Sequence, residues 1–271
     1  METFSLGPLI ARGRTADVYA WEEDQVVKLF HTWCPPHWVE EEIEVSRAVA
    51  AIGLPTPGVI DAVEIDGRQG IVYERVDGPS MLTLINERPW LLFRFARQMA
   101  ELQADMHKLT VDGLPSLRSS LGRTIERVES LAPDRKMAVL QLLDGLPDDN
   151  AVCHFDFHPD QILITNDGPV IIDWMTAHHG HPLADVARTS VILTFSQVPY
   201  ANWLKRTVVD LWRGLFYRTY ISRYLELNPG STMAQVRTWM VPIAAGRLKE
   251  EIEGEREPLL AFIESYLAGR S

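Results

Sequence analysis

Two aspartates frame the stretch from Val152 to Trp174, and their setting suits chemistry. Asp156 lies in His154-Phe155-Asp156-Phe157-His158, just after the apolar pair Val152-Cys153. Asp173 ends the run Ile171-Ile172. Between them, Asn166-Asp167-Gly168 is a turn signal with a short β-type run on each side. The second strand of that hairpin would return Asp173 towards the loop that carries Asp156. Two carboxylates held near each other suit one proton acceptor and one ligand for a hard cation. A bland alternative exists for each alone, because Asp favours turns and caps.

Taken jointly, the residues are more specific. His154-x-Asp156-x-His158-Pro159-x-Gln161, followed by Ile171-Ile172-Asp173-Trp174, resembles the signature of the aminoglycoside phosphotransferase family, which also includes choline, homoserine and macrolide kinases. The resemblance runs from about residue 8 to the C-terminus. It implies an α+β, two-lobed, protein-kinase-like fold. A small β-rich nucleotide-binding lobe would occupy residues 1–77, and a larger, mostly helical catalytic and substrate-binding lobe residues 78–271. It implies ATP and Mg²⁺ as cofactors and a small-molecule hydroxyl as phosphate acceptor. Asp156 would be the catalytic base and Asp173 a metal ligand. Asp185, in Gly180-His181-Pro182-Leu183-Ala184-Asp185, matches a position that buttresses the active-site loop. One departure stands out. The family usually carries Asn five residues after the base, as a second metal ligand, and this chain has Gln161. Its side-chain oxygen is the same kind of donor, one methylene further out.

The N-terminal part reads as strands. Residues 8–30 form a hairpin pattern around Gly13-Arg14-Thr15-Ala16 and Glu22-Glu23-Asp24, ending in Gln25-Val26-Val27-Lys28-Leu29-Phe30. Lys28 interrupts an apolar run, as either a snorkelling edge residue or a functional charge. The resemblance makes it the lysine that pairs with nucleotide phosphates. The preceding loop has one glycine, so a bare hairpin turn and a phosphate cover with Thr15 as hydroxyl donor both remain open. Trp38–Ile52 reads as a helix stopped by Gly53 and Pro55. It carries Glu40, Glu41, Glu42 and Glu44, a run that reads as a solvated face, and the resemblance selects Glu42 as the partner of Lys28. Val59–Ile65 and Gly70–Val76 read as strands. Glu74 and Val76 then occupy the positions at which the family's main chain bonds adenine, with Tyr73 just before them.

Beyond this, Trp90–His107 is amphipathic, with Leu92, Phe95, Ala96, Met99, Leu102 and Met106 as a core stripe. Helices are expected at Ser120–Leu143, with a break near Pro133, and at Trp203–Leu225, Thr232–Leu248 and Pro258–Leu267. Strands first and helices later make an α+β layout. Five histidines lie between 154 and 181. Their spacing fits no zinc framework, so loop roles are favoured over a zinc site. The acidic run Lys249 to Glu257 reads as a solvated turn, or, by the resemblance, as carboxylates for a substrate's amines.

Bulk properties bound the class. A chain of 271 residues with 46% hydrophobic and 23% charged content can bury a sizeable core. With 26 basic and 37 acidic residues, the net charge is −11, which argues against nucleic acid as a partner. Two cysteines, Cys34 and Cys153, fit reduced thiols in a cytoplasmic protein. The first residues lack the basic and apolar regions of a signal peptide, and nothing approaches a membrane span. The leading expectation is an ATP-dependent small-molecule kinase. The alternative is a nucleotide-binding pseudokinase without phosphotransfer, supported by Gln161 and the glycine-poor loop. A protein-substrate kinase finds no Ala-Pro-Glu segment after Asp173.

Overall fold

The computed structural model describes residues 6–196 and 203–269. They divide into two compact units. The first runs up to Thr83 and adds Val111–Leu114 and Asp160–Thr176. The second holds Leu84–Thr110, Pro115–Pro159 and the chain from Ala177 onwards.

The first unit is built on an antiparallel five-stranded sheet. Its strands are β1 (Leu9–Arg12), β2 (Ala16–Ala20), β3 (Gln25–Phe30), β4 (Val59–Ile65) and β5 (Arg68–Glu74), in the order β1-β2-β3-β5-β4. Alternation gives the sheet two apolar faces. Val27, Leu29, Ile65 and Val72 cluster on one. Ala16, Phe30, Ile71 and Tyr73 cluster on the other, with Val39 of helix α1 (Pro36–Ala51). The helix starts two residues earlier than the sequence pattern suggests, because Pro36 fits the first helical turn, where no N–H bond is needed. Strand β5 stops at Glu74, so Val76 lies outside it.

The turn at Asn166-Asp167 joins β7 (Ile162–Thr165) to β8 (Gly168–Ile171) with Thr165 opposite Gly168. Gly168 has φ +128°, which L side chains rarely adopt. The hairpin belongs to the first unit: Ile171 N–H donates to the Pro55 carbonyl (2.7 Å) and Ile164 N–H to the Pro79 carbonyl (3.0 Å).

The second unit is mostly helical. It holds α3 (Leu92–Met106), α4 (Leu117–Glu126), α5 (Pro133–Asp144), α6 (Pro182–Phe195), α7 (Trp203–Leu227), α8 (Met233–Arg247) and α9 (Arg256–Ala268); the short α2 (Met81–Glu87) straddles the boundary between units. The region expected as one broken helix is two, with Pro133 opening α5. The stripe on α3 is buried except for Leu102, which is half-buried, and polar Gln103 is buried in its place. Helix α6 escaped the sequence reading because Leu183 to Ile192 are all buried, polar Asp185, Arg188 and Thr189 included, so no solvated stripe sets off an apolar one. Strands β6 (Ala151–Cys153) and β9 (His178–Gly180) pair antiparallel beside these helices. Among the described residues, no helix is long and apolar enough to cross a membrane.

Candidate functional site

Lys28 is on β3, where alternation turns Val27 and Leu29 to one face and Lys28 with Phe30 to the face that meets α1. Its ammonium lies 2.7 Å from Glu42 Oε1 and 2.8 Å from Asp173 Oδ1. Of the four glutamates on α1, Glu42 is the one turned inward, at 2% exposure. Tyr73, on the same face of β5 as Ile71, donates its hydroxyl to Glu42 Oε1 at 2.9 Å. Burial alone would lower the basicity of Lys28, but the Glu42 and Asp173 carboxylates outweigh it and hold the pKa above its ordinary value. One ammonium thus faces two carboxylates. Glu42 Oε2 is also buried and has no hydrogen-bond partner among the described residues.

Asp173 directly follows β8 and Ile172, in a left-handed conformation, φ +63°. Such a backbone costs of order 1–3 kcal/mol and collects at functional positions. Its neighbour Trp174 is buried and donates its ring N–H to the Ile171 carbonyl at 3.2 Å. Ile172 N–H donates to the Gln161 carbonyl at 3.0 Å, which brings Gln161 alongside. The Gln161 carboxamide nitrogen lies 3.3 Å from Asp173 Oδ2. A half-turn of that carboxamide would present oxygen instead. Asp173 and Gln161 then offer the hard oxygen donors that magnesium takes. Among the described residues, no three His, Cys, Asp or Glu side chains converge as a metal site.

The other residues expected to face a nucleotide are also in the first unit. Thr15 is half-buried, and its carbonyl accepts from His31 N–H (2.9 Å) and Cys34 Sγ (3.3 Å). Glu74 N–H donates to the Gly58 carbonyl (3.0 Å), and the Glu74 carboxylate accepts Gly58 N–H (3.0 Å). Val76 is half-buried beyond the end of β5.

Asp156 belongs to the second unit, in the loop after β6. Helix α6 holds that loop by its main chain. Asp185 accepts Phe155 N–H at 2.6 Å and His154 N–H at 3.3 Å. Arg188 Nε donates to the Phe155 carbonyl at 3.1 Å, and Thr189 Oγ1 to the Phe157 carbonyl at 2.9 Å. His154 Nδ1 accepts Asp156 N–H at 3.3 Å. Asp185 is in turn fixed by Gln103 Nε2 (2.9 Å) and His107 Nε2 (3.1 Å). Burial alone would raise the Asp156 pKa. The nearby His158 ring, then the charges of Arg188 and His154, prevail and hold the carboxyl well below the ordinary carboxylate range. The His158 ring is 3.7 Å away and the Arg188 guanidinium 3.8 Å.

The structure therefore brings Lys28, Glu42, Asp173 and Gln161 together, and sets Asp156 in a separately braced loop. Sequence reasoning missed Tyr73 as the support of Glu42, and Arg188 and Thr189 as supports of the loop. The available signal was helical spacing: Arg188 and Thr189 follow Asp185 by three and four residues, on one face.

The sequence model of the phosphotransferase enzyme family (APH) matches residues 8–226. No curated protein matches the chain. Among solved structures, a thermostable mutant of the aminoglycoside phosphotransferase APH(4)-Ia, in ternary complex with ADP and hygromycin B, is similar at TM-score 0.67 and 16% identity, covering 96% of this chain and 93% of that one. The aminoglycoside-3'-phosphotransferase of type VIII matches at TM-score 0.62 and 20% identity, covering 93% and 94%. A choline/ethanolamine kinase family protein from Mesorhizobium loti matches at TM-score 0.59 and 16% identity, covering 97% and 89%. At these identities the likeness establishes the fold, a β-sheet N-terminal region followed by a helical C-terminal region.

Proposed function

This chain belongs to the phosphotransferase enzyme family, and from that premise we propose that it transfers the γ-phosphoryl group of ATP to a hydroxyl of a small molecule. The observation that carries the reading is the Lys28 ammonium held by both Glu42 and Asp173, at 2.7 and 2.8 Å. A lysine fixed in this way can neutralise phosphate oxygens without first being ordered. Asp173, with the Gln161 side-chain oxygen, would hold magnesium. When bound, the ion supplies charge neutralisation on the phosphates. Thr15 would add a hydroxyl donor to the phosphate cover. Residues 1–77 would serve the nucleotide and residues 78–271 the catalysis and the acceptor.

Adenine recognition would fall to the main chain at Glu74 and Val76. The Glu74 N–H is already engaged by Gly58, so Glu74 would contribute its carbonyl and Val76 its N–H. Asp156 would receive the acceptor's hydroxyl. Its depressed pKa makes it a weak proton acceptor in the ground state. It would therefore align the hydroxyl as a hydrogen-bond acceptor and take the proton late. That order suits the loose, metaphosphate-like transition state of phosphoryl transfer, in which the attacking oxygen gains acidity only as its bond to phosphorus forms. Catalysis would rest on positioning and electrostatics.

The acceptor class is open to direct test. A neighbour of similar fold binds hygromycin B, and the net charge of −11 suits a cationic acceptor. ADP release from ATP, with and without magnesium, across hydroxylated metabolites and aminoglycosides separates the readings. Stimulation by one compound class supports the kinase. Nucleotide binding without turnover supports a pseudokinase, the reading that the Gln161 amide turned to Asp173 would favour.

A further inference from the structure

We propose that Glu250 is a positioning residue, which acts through Arg188 to keep the Asp156 carboxylate available to the acceptor hydroxyl; this rests on the phosphotransfer reading above. Arg188 is 7% exposed on α6 and touches the loop three ways. Its Nε holds the Phe155 carbonyl (3.1 Å), its guanidinium lies over the Phe155 ring (5.5 Å), and one terminal nitrogen stands 3.8 Å from Asp156 Oδ1. Phe155 itself has φ +64°, a left-handed conformation that a bulky residue holds only under constraint.

The same terminal nitrogen lies 2.6 Å from Glu250 Oε1. Glu250 ends the short turn after α8, and its other oxygen lies 2.8 Å from Arg247. Arg247 is anchored in turn by Glu255, at 2.8 and 3.0 Å, a carboxylate only 2% exposed. Glu250 is thus clamped between two buried guanidiniums. Neither Glu250 nor Glu255 behaves as a carboxylate of a solvated turn, contrary to the expectation from the acidic run.

The distances decide what Glu250 does. Arg188 has two carboxylates in reach and takes the nearer. Without Glu250, the buried guanidinium would have Asp156 as its counter-ion, and closing the gap of 3.8 Å would occupy the oxygen that the acceptor hydroxyl needs. Glu250 holds the arginine back while leaving its Nε on the Phe155 carbonyl.

The test is steady-state ADP release from magnesium–ATP with water as acceptor, in wild type, Glu250→Gln, Arg188→Lys and the double variant. Thermal unfolding of each checks that the chain is folded. With no organic acceptor present, a residue that only contacts the acceptor cannot change this rate. Glu250→Gln is expected to lower kcat by on the order of tenfold or more with the KM for ATP within about twofold. In the Arg188→Lys background, where the fork is gone, it is expected to cause no further loss. An unchanged kcat in Glu250→Gln, a rise in ATP KM alone, or losses that multiply in the double variant would overturn the proposal. If Arg188→Lys fails to fold, the split between kcat and KM in Glu250→Gln decides alone. If the folded wild type releases no ADP with water, the same four proteins are assayed with pooled hydroxylated metabolites and aminoglycosides; a wild type that turns over ATP with neither water nor any pool overturns the phosphotransfer reading, and this proposal with it.

Discussion

Asp185 accepts the main-chain N–H of Phe155 at 2.6 Å, and Phe155 is the residue that turns the chain, at φ +64°, immediately before Asp156. A fully buried carboxylate therefore dictates the backbone of the loop on which the proposed base sits. It collects four donors: the N–H groups of His154 and Phe155, Gln103 Nε2 and His107 Nε2. Tyr220 and Tyr224 bond Gln103 and His107 from α7, and Gln103 also donates to Thr189 Oγ1 at 3.3 Å.

Asp185→Asn is expected to destabilise the chain by roughly 3–5 kcal/mol, the usual cost of removing one partner from a buried charged network. Chemical denaturation measures it. The pH dependence carries a sign. Burial would raise the Asp185 pKa, but the hydrogen bond and charge of His107, then Gln103 and His154, lower it. A depressed folded pKa gives stability that is present above the ordinary carboxylate value of about 4 and is lost as pH falls towards the folded value. Asp185→Asn should flatten that acid limb. A variant as stable as wild type, with the same acid dependence, would rule out the bracing role.

Asp156→Ala is expected to leave nucleotide binding nearly unchanged and to cut turnover by about 10²–10⁴, the span of a lost general base. Steady-state rates compare the two proteins directly. An unchanged rate would remove Asp156 from the mechanism.

His158→Gln is expected to shift the acid side of the kcat/KM profile to higher pH. His158 supplies the largest of the influences that lower the Asp156 pKa. Without it, the carboxyl moves back towards the ordinary range and protonates earlier as the solution is acidified. A profile that stays in place, or moves to lower pH, would show that His158 does not set the charge on Asp156.

Asp173→Asn is expected to weaken magnesium-dependent ATP binding more than Lys28→Ala does. The aspartate would act through a divalent ion on two phosphates, the lysine as one point charge. The contact between the two at 2.8 Å adds a second effect: removing the Asp173 charge lowers the basicity of Lys28 as well. Titration calorimetry with and without magnesium decides it. Equal losses in both variants, or binding indifferent to magnesium, would count against the assignment.

Much of this arrangement is legible in the residues, and the gaps have physical causes. The β7–β8 hairpin is fixed by Asn166-Asp167-Gly168, because turn chemistry is local. Lys28 stands out because a cation interrupts a strand's apolar run. Glu42 could not be chosen from four glutamates on α1 by local pattern alone; packing against the sheet and the Tyr73 hydroxyl make the choice. Helix α6 shows no solvated stripe because Leu183 to Ile192 are all buried, polar residues included. The ties from Arg188 to Phe155, Asp156 and Glu250 join residues 33, 32 and 62 positions apart, and no periodicity spans such separations.

Gln161→Asn is expected to keep or raise magnesium affinity and turnover, since the shorter carboxamide presents the same oxygen without crowding Asp173, now 3.3 Å from the Gln161 nitrogen. Gln161→Ala is expected to lower both. If the alanine variant loses nothing in either quantity, Gln161 is no metal ligand.

Formation of a phosphomonoester is the decisive observable. The purified chain, magnesium and ATP are incubated with pooled hydroxylated metabolites and aminoglycosides, and products are followed by ³¹P NMR and mass spectrometry, with Asp156→Ala in parallel. The expected result is one compound class that gains a phosphoryl group in step with ADP, in wild type but not in the variant. Saturable ATP binding with no phosphorylated product in any pool, and no ADP release, would contradict phosphotransfer and leave a nucleotide-binding protein.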